Sequence, residues 1–130
     1  MTAVIPITAL YASLLALLLI LLALVTVKLR RSLQIGMGDG GNRDLQRAIR
    51  AHGNASEYIP LFVILLAAYE LNHGSVMALH ALGGAFFLSR VLHAWGLYSS
   101  GGTSPGRFMG TAGTLVALLA LAAANLLKIL

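Results

Sequence analysis

Apolar residues are concentrated in four stretches of the chain, and short polar segments separate these stretches. They run from about residue 4 to 27, 43 to 71, 76 to 98 and 107 to 130, and the second is apolar mainly in its later half. At a rise of about 1.5 Å per residue, each is long enough to cross a hydrocarbon core about 30 Å thick. The pattern therefore predicts four transmembrane helices.

The connections between these helices are short, about 4 to 15 residues, which favours antiparallel packing of successive helices. The expected fold is an all-α integral membrane protein, an up-down four-helix transmembrane bundle that forms one domain over residues 1–130. Asn42 or a neighbouring residue is expected to cap the second helix. Pro60 lies inside that helix and suggests a kink.

The second helix begins with a polar stripe, which consists of Arg43, Arg47, Arg50, Asn54 and Glu57. At about 100° per residue, these five positions fall within a sector of about 80° on one helix face. Charged side chains that face lipid cost about 2.5–3.5 kcal/mol each. The stripe must therefore face protein or water, which makes it a candidate binding site.

The composition agrees with a membrane protein, since 58% of residues are hydrophobic, 10% are charged and the mean hydropathy is +0.86. The net charge is +5, and six of the nine basic residues lie within residues 28–50, between the first apolar stretch and the apolar later half of the second. This clustering follows the positive-inside rule and does not indicate nucleic-acid binding. It predicts that both charged connections are cytoplasmic and that both termini lie on the other side. With no cysteine, the chain has no protein thiol nucleophile.

Two other motifs do not fit their usual functions. The segment 36–41 matches GxGxxG, but a membrane helix precedes it where a dinucleotide fold needs a strand. His52, His80, His93 and Glu57 include no pair at metal-binding helical spacing, so no metal site is expected.

Three groups of polar residues should meet at one end of such a bundle. They are the polar stripe, the cluster Arg90, His93 and Tyr98 on the third helix, and Arg107 on the fourth; Lys28, Arg30 and Arg31 can join them from the first helix. Arginine binds carboxylates through paired hydrogen bonds, and a glutamate can bind an amine. An excess of cations beside Glu57 suits a ligand with more than one carboxylate and an ammonium group.

Structural explanations remain open for each group. Lys28, Arg30 and Arg31 can act as topology anchors, and Arg43 and Arg47 can be solvated surface residues. Arg50, Asn54 and Glu57 can form an internal network that fixes helix packing. Arg90 and His93 can be buried residues whose hydrogen bonds are made within the bundle.

The segment from Arg50 to Pro60 reads R-A-x-x-N-x-x-E-x-x-P and resembles the signature of the MAPEG family, membrane-associated proteins in eicosanoid and glutathione metabolism. Arg90 with His93, and then Tyr98 and Arg107, look like third- and fourth-helix features of that family. The segment 38–42 is similar to bacterial members.

This resemblance implies a homotrimer that binds glutathione as co-substrate between subunits near the cytoplasmic face. Arg107 matches the arginine that stabilises the glutathione thiolate and would be the catalytic residue. The residues expected to bind glutathione are Arg30, Arg31, Arg50, Asn54, Glu57, Tyr58, His93 and Tyr98.

The function that the resemblance implies is a membrane-bound glutathione transferase or peroxidase of the bacterial inner membrane. Its substrates would be hydrophobic small molecules or lipids that reach the site from the lipid phase. The prostaglandin E synthase members of the family have a serine directly after the corresponding arginine, whereas this chain has Phe108 after Arg107. This difference argues against the isomerase activity of those members. The alternative is a non-catalytic membrane protein of the same fold that binds lipid or supports a membrane complex.

Overall fold

The computed structural model describes residues 4–130, which form four helices and no strand. They are α1 (Pro6–Leu33), α2 (Arg43–Leu71), α3 (Val76–Ser99) and α4 (Pro105–Ile129). The prediction of an all-α fold is confirmed. The predicted domain also included residues 1–3, which lie outside the described residues.

Helix α1 extends six residues beyond its predicted end at residue 27. Its last turns contain leucine, lysine and arginine, which favour helix whether lipid or water surrounds them. The helix ends where Gln34 adopts a left-handed conformation with φ +56°, and the cap N–H bonds to the carbonyls of Arg30 and Arg31. The apolar pattern predicted only where the apolar stretch ends. The helix itself continues until the backbone turns at Gln34.

The starts of α2 and α4 are set by capping side chains. Asn42 Oδ1 accepts hydrogen bonds of 3.0 Å from the backbone N–H groups of Asp44 and Leu45, as the sequence predicted. Helix α4 begins at Pro105, two residues before the predicted start, because a proline at the first position needs no N–H partner. Ser104 Oγ accepts the N–H of Arg107 at 3.3 Å. Helix α2 continues through Pro60.

Helices α2 and α3 form the middle of the bundle, and α1 and α4 lie on opposite sides of them. Each outer helix packs against both central helices, while α1 and α4 do not touch each other within residues 4–130. Phe62 of α2 and Phe86 of α3 stack at the centre with ring centroids 3.8 Å apart. The chain runs up and down, so the end of each helix lies beside the start of the next.

Within the described part of the chain, α1, α3 and α4 are long and apolar enough to cross a membrane. The sequence predicted four transmembrane helices, but α2 does not meet this criterion because the polar stripe occupies its first half; it packs against the other three helices. Large apolar side chains such as Leu17, Leu24 and Leu119 are exposed on the outer helices. An apolar exterior of this kind suits a lipid environment, so the chain is an integral membrane protein.

Candidate functional site

One end of the bundle, which we call the charged end, collects arginines from three of the four helices. It comprises the last turns of α1 and α3 and the first turns of α2 and α4. The antiparallel topology brings these turns together although they are far apart in the sequence. The arginines include Arg30 and Arg31 of α1, Arg47 and Arg50 of α2, and Arg107 of α4, whereas the last turn of α3 has no basic residue.

A central cavity of about 130 Å³ lies at the charged end between α2, α3 and α4. Its lining consists of Arg50, Asn54, His93, Leu97 and Arg107. Four of these five residues were predicted from the sequence to bind glutathione or act on its thiol. The bundle therefore brings part of the predicted site together within one chain.

A second cavity of about 140 Å³, the side cavity, adjoins the central cavity. Arg50, Leu97 and Arg107 line both cavities, and the side cavity adds Gln46, Arg47, Ser100 and Gly101. The two cavities thus form one polar region around the same pair of arginines, Arg50 and Arg107.

Arg107 is placed by a close approach of α3 and α4. A Cβ atom at Gly96 would lie 2.5 Å from the backbone nitrogen of Arg107 and 2.8 Å from the carbonyl carbon of Gly106. Only a glycine at position 96 permits this spacing, because both neighbours are backbone atoms. The Arg107 guanidinium then donates through Nη1 to the Gly102 carbonyl at 2.6 Å.

Arg90 lies directly behind the central cavity and is only 2% exposed. Its Nη1 donates to Asn54 Oδ1 at 2.6 Å, and its Nη2 donates to the Gly110 carbonyl at 3.2 Å. The guanidinium carbon also lies 5.3 Å from the centroid of the Tyr58 ring, within cation–π range. Arg90 therefore connects Asn54 to both α3 and α4.

Among the described residues, no carboxylate lines the central or the side cavity. Across residues 4–130 the one ion pair joins Arg47 Nη1 to Asp44 Oδ1 at 3.4 Å, and it is exposed at the surface. Arg50 and Arg107 therefore face the two cavities without an anionic partner from the described chain. An arrangement of two guanidinium groups without a carboxylate partner around a cavity suits an anionic ligand.

The remaining predicted site residues lie elsewhere in the single chain. Glu57 is exposed on α2, and Tyr58 packs against Arg90 instead of lining the cavity. Tyr98 lines a separate cavity together with Lys28 and Arg47.

The arginines at the end of α1 also lie away from the central cavity. Arg30 Nη1 donates to the carbonyls of Ile35 and Gly38 in the following loop, at 3.3 and 2.9 Å. Arg31 is exposed beside Lys28 on the surface of α1. A single subunit thus brings together one part of the predicted set, centred on Arg50, Asn54, His93 and Arg107.

Four lining residues were not predicted from the sequence, namely Leu97, Gln46, Ser100 and Gly101, and helical spacing points to the first two of them. Leu97 is apolar and gave no chemical signal, but it lies four residues after His93 and so occupies the same helix face. Gln46 likewise lies four residues before Arg50. Helical spacing from the predicted residues would have identified both. No group of His, Asp and Glu side chains within residues 4–130 is arranged to hold a metal ion.

Comparison with known proteins agrees with the sequence motif. The model of the MAPEG family matches residues 8–127. The protein named "Inner membrane protein YecN" from Escherichia coli strain K12 is 38% identical over 120 residues, which cover 92% of this chain and 90% of that protein. The protein of the same name from Escherichia coli O6:H1 strain CFT073 gives the same values. The chain therefore belongs to the MAPEG family of membrane proteins, as the motif from Arg50 to Pro60 predicted.

Proposed function

We propose that this protein binds glutathione at the charged end and acts as a membrane-bound glutathione transferase or peroxidase. The observation that carries the proposal is the pair of guanidinium groups, Arg50 and Arg107, around cavities that no carboxylate lines. Membership of the MAPEG family supports glutathione as the ligand.

Glutathione has two carboxylates, one ammonium group and one thiol. Arg50 suits one carboxylate, and Arg107 with the N-terminus of α4 suits the sulfur when it is ionised. The central and side cavities measure about 130 and 140 Å³, whereas pockets for small-molecule ligands usually measure roughly 300–1,000 Å³. The ligand would therefore extend beyond these cavities to the surface of the subunit.

A neighbouring subunit would complete the site at that surface. Glu57 and Tyr98 are exposed in the single chain, as is Arg31 at the end of α1. In the homotrimer that we propose, Glu57 would meet the ligand amine, and Arg30 or Arg31 of an adjacent copy would meet the second carboxylate. Light scattering of the detergent-solubilised protein measures this assembly directly, and a monomer at working concentrations would contradict it.

The chemical role of Arg107 follows from the ionisation of thiols. A thiol with a pKa of about 8.5 is only a few per cent ionised at neutral pH, and the thiolate is the nucleophile. Each unit by which the pKa falls requires about 1.36 kcal/mol of preferential stabilisation of the anion. The Arg107 guanidinium and the N-terminus of α4 can together lower the pKa of the thiol by about one to two units.

The thiolate then reacts with a hydrophobic electrophile that enters from the lipid phase. In transfer, a carbon–sulfur bond forms and the leaving group departs with its electron pair. In peroxide reduction, the sulfur attacks one oxygen, the O–O bond breaks, and the alkoxide takes a proton. A second glutathione then converts the sulfenic acid to a disulfide and releases water.

For the cellular location we propose the inner membrane of a bacterium, which is what the name of the Escherichia coli relative states for that protein. Both charged connections would face the cytoplasm, because six of nine basic residues flank the first of them. Cytoplasmic glutathione would then reach the charged end directly.

The test measures glutathione binding by calorimetry and the ultraviolet absorbance of its thiolate, with the protein in lipid nanodiscs. The wild type should bind glutathione and produce thiolate at neutral pH, while Arg107→Ala should bind but produce at least tenfold less thiolate. Absence of binding by the wild type would contradict the proposal. Binding without thiolate in both proteins would instead support a non-catalytic member of the fold.

A further inference from the structure

Arg90 is an unusual residue for the interior of a membrane bundle. It is 2% exposed, and no Asp or Glu within residues 4–130 forms an ion pair with it. Its Nε atom is buried without a hydrogen-bond partner. A buried charge without a counterion lowers stability, and an ionisable residue at such a depth indicates function by default.

The contacts of Arg90 differ in whether they reach the central cavity. The Gly110 carbonyl, which accepts from Nη2, also accepts the Thr114 hydroxyl at 2.7 Å and would stay bonded without Arg90. The guanidinium carbon lies 5.3 Å from the centroid of the Tyr58 ring and 6.0 Å from that of the Phe86 ring, and neither ring lines the cavity. The remaining polar contact of Arg90 is the hydrogen bond to Asn54 Oδ1 at 2.6 Å, and Asn54 does line the cavity.

This bond fixes the orientation of the Asn54 amide. A guanidinium carries donors and no acceptor, so the amide must turn its oxygen towards Arg90. Its nitrogen, Nδ2, then points away from Arg90 and bonds to no other group in the described part of the chain. Asn54 also lines the central cavity, so its free donor is available to whatever occupies that cavity.

We propose that Arg90 is a positioning residue that sets the hydrogen-bonding polarity of the site through Asn54. With Arg90 in place, Asn54 presents a donor, and the ligand atom beside it must be an acceptor, a carbonyl or carboxylate oxygen. Without Arg90, the amide is free to rotate and present its oxygen to that atom, which is repulsive. The ligand's identity as glutathione rests on the proposed function above.

The experiment is a double-mutant cycle for glutathione binding, measured by calorimetry in nanodiscs. Arg90→Gln and Asn54→Ala are made singly and together in the full chain. Arg90→Gln should weaken binding about tenfold, the effect of one lost hydrogen bond. In the Asn54→Ala background the same change should alter the dissociation constant less than about twofold. In Arg90→Lys the new side chain still has hydrogen-bond donors and no acceptor, so this variant should bind glutathione more tightly than Arg90→Gln.

Thermal unfolding of each variant without glutathione separates positioning from folding. The proposal requires that Arg90→Gln lose affinity while it unfolds at or above the temperature of Arg90→Lys. If Arg90→Gln weakens binding equally with and without Asn54, Arg90 acts on the ligand directly and the proposal is wrong. If the wild type fails to bind glutathione, the proposed function fails together with this inference; additive losses in proteins that do bind overturn this inference alone.

Discussion

At the end of the bundle where α1 begins, charged and polar side chains bond to protein groups, whereas at the charged end two arginines face a cavity. Glu70 of α2 accepts the backbone N–H groups of Ile7 and Thr8 at 3.0 and 2.6 Å. The hydroxyl of Tyr11, on α1, donates to the carbonyl of His80, on α3, at 3.0 Å. We call this region the closed end.

The closed end shows a charge with a structural role. Helix α1 has Ile5 at its N-cap position, and this residue provides no side-chain capping bond. The Glu70 carboxylate takes over this role from another helix, because the first N–H groups of a helix lack internal partners and attract negative charge. The sequence had suggested no role for Glu70, and the structure provides one.

The charged end has the opposite property, since Arg50 and Arg107 have no anionic partner in residues 4–130. Comparison of the two ends therefore provides a criterion for distinguishing structural from functional charge in this bundle. A charge whose bonds end on protein groups should affect stability, and a charge that faces a cavity should affect ligand binding.

The largest effect is expected for Arg50→Ala at the charged end. Loss of one partner of a desolvated charge pair costs about 2–5 kcal/mol of binding free energy, so glutathione affinity should fall at least thirtyfold. Unfolding should change little, because Arg50 is exposed and forms no ion pair within residues 4–130. Calorimetry and thermal unfolding measure the two quantities.

Arg43→Ala provides the matched control for Arg50→Ala, since Arg43 lies exposed on the same helix and lines neither the central nor the side cavity. Its affinity for glutathione should stay within about twofold of the wild type. Equal losses for the two variants would mean that Arg50 contributes only general positive charge.

Glu70→Gln should produce the reverse result at the closed end. The change removes the charge that caps α1 and weakens two charge-assisted hydrogen bonds, so stability should fall by about 1.5–3 kcal/mol. Denaturant unfolding in micelles measures this loss, and the affinity for glutathione should not change. Glu57→Gln, at an exposed carboxylate on the same helix, should leave stability within about 0.5 kcal/mol of the wild type.

Gly96→Ala should affect both stability and the site. The added methyl group would collide with the backbone of Gly106 and Arg107, so α3 and α4 must separate and Arg107 must move. Overpacking of this kind costs about 1–3 kcal/mol of stability, and thiolate formation should fall as well. Gly53→Ala, in α2 where nothing lies within 4 Å of a new Cβ atom, should unfold at or above the wild-type temperature. Thiolate formation at the wild-type level in Gly96→Ala would show that Arg107 does not require this close approach.

The smallest effect is expected for Tyr11→Phe at the closed end. The variant loses the hydrogen bond to the His80 carbonyl and keeps the ring, which should cost about 0.5–1.5 kcal/mol of stability. Glutathione binding should be unchanged in calorimetry. A loss of affinity would show that the two ends are coupled.

Local signals in the sequence explain which parts of the fold were predictable. The bounds of α2 were predicted correctly because Asn42 caps its start and a polar turn follows its end. The end of α1 was placed six residues too early, because no turn residue interrupts the helix before Gln34. The start of α4 was placed two residues too late because Pro105 was assigned to the loop, although proline is favoured at the first position of a helix.

Helical spacing and the family motif predicted part of the site. The stripe on α2 and the positions of His93 and Arg107 pointed to one end of the bundle, and four of the predicted residues line the central cavity. The same reasoning could not separate Tyr98, which lines another cavity, from His93 on the same helix. Side-chain direction around a helix decides between them, and it depends on how the helices are rotated against each other.

The number of helices, their apolar exterior and the family follow from the sequence alone, because these depend on periodicity, length and a motif of eleven residues. The pairing of charges instead depends on how the helices pack. The bond from Arg90 to Asn54 joins residues 36 apart, and the bonds from Ile7 and Thr8 to Glu70 join residues 63 and 62 apart. Such pairs form because helix packing brings distant turns together. Packing thus makes Glu70 a cap for α1 and leaves Arg50 and Arg107 facing a cavity.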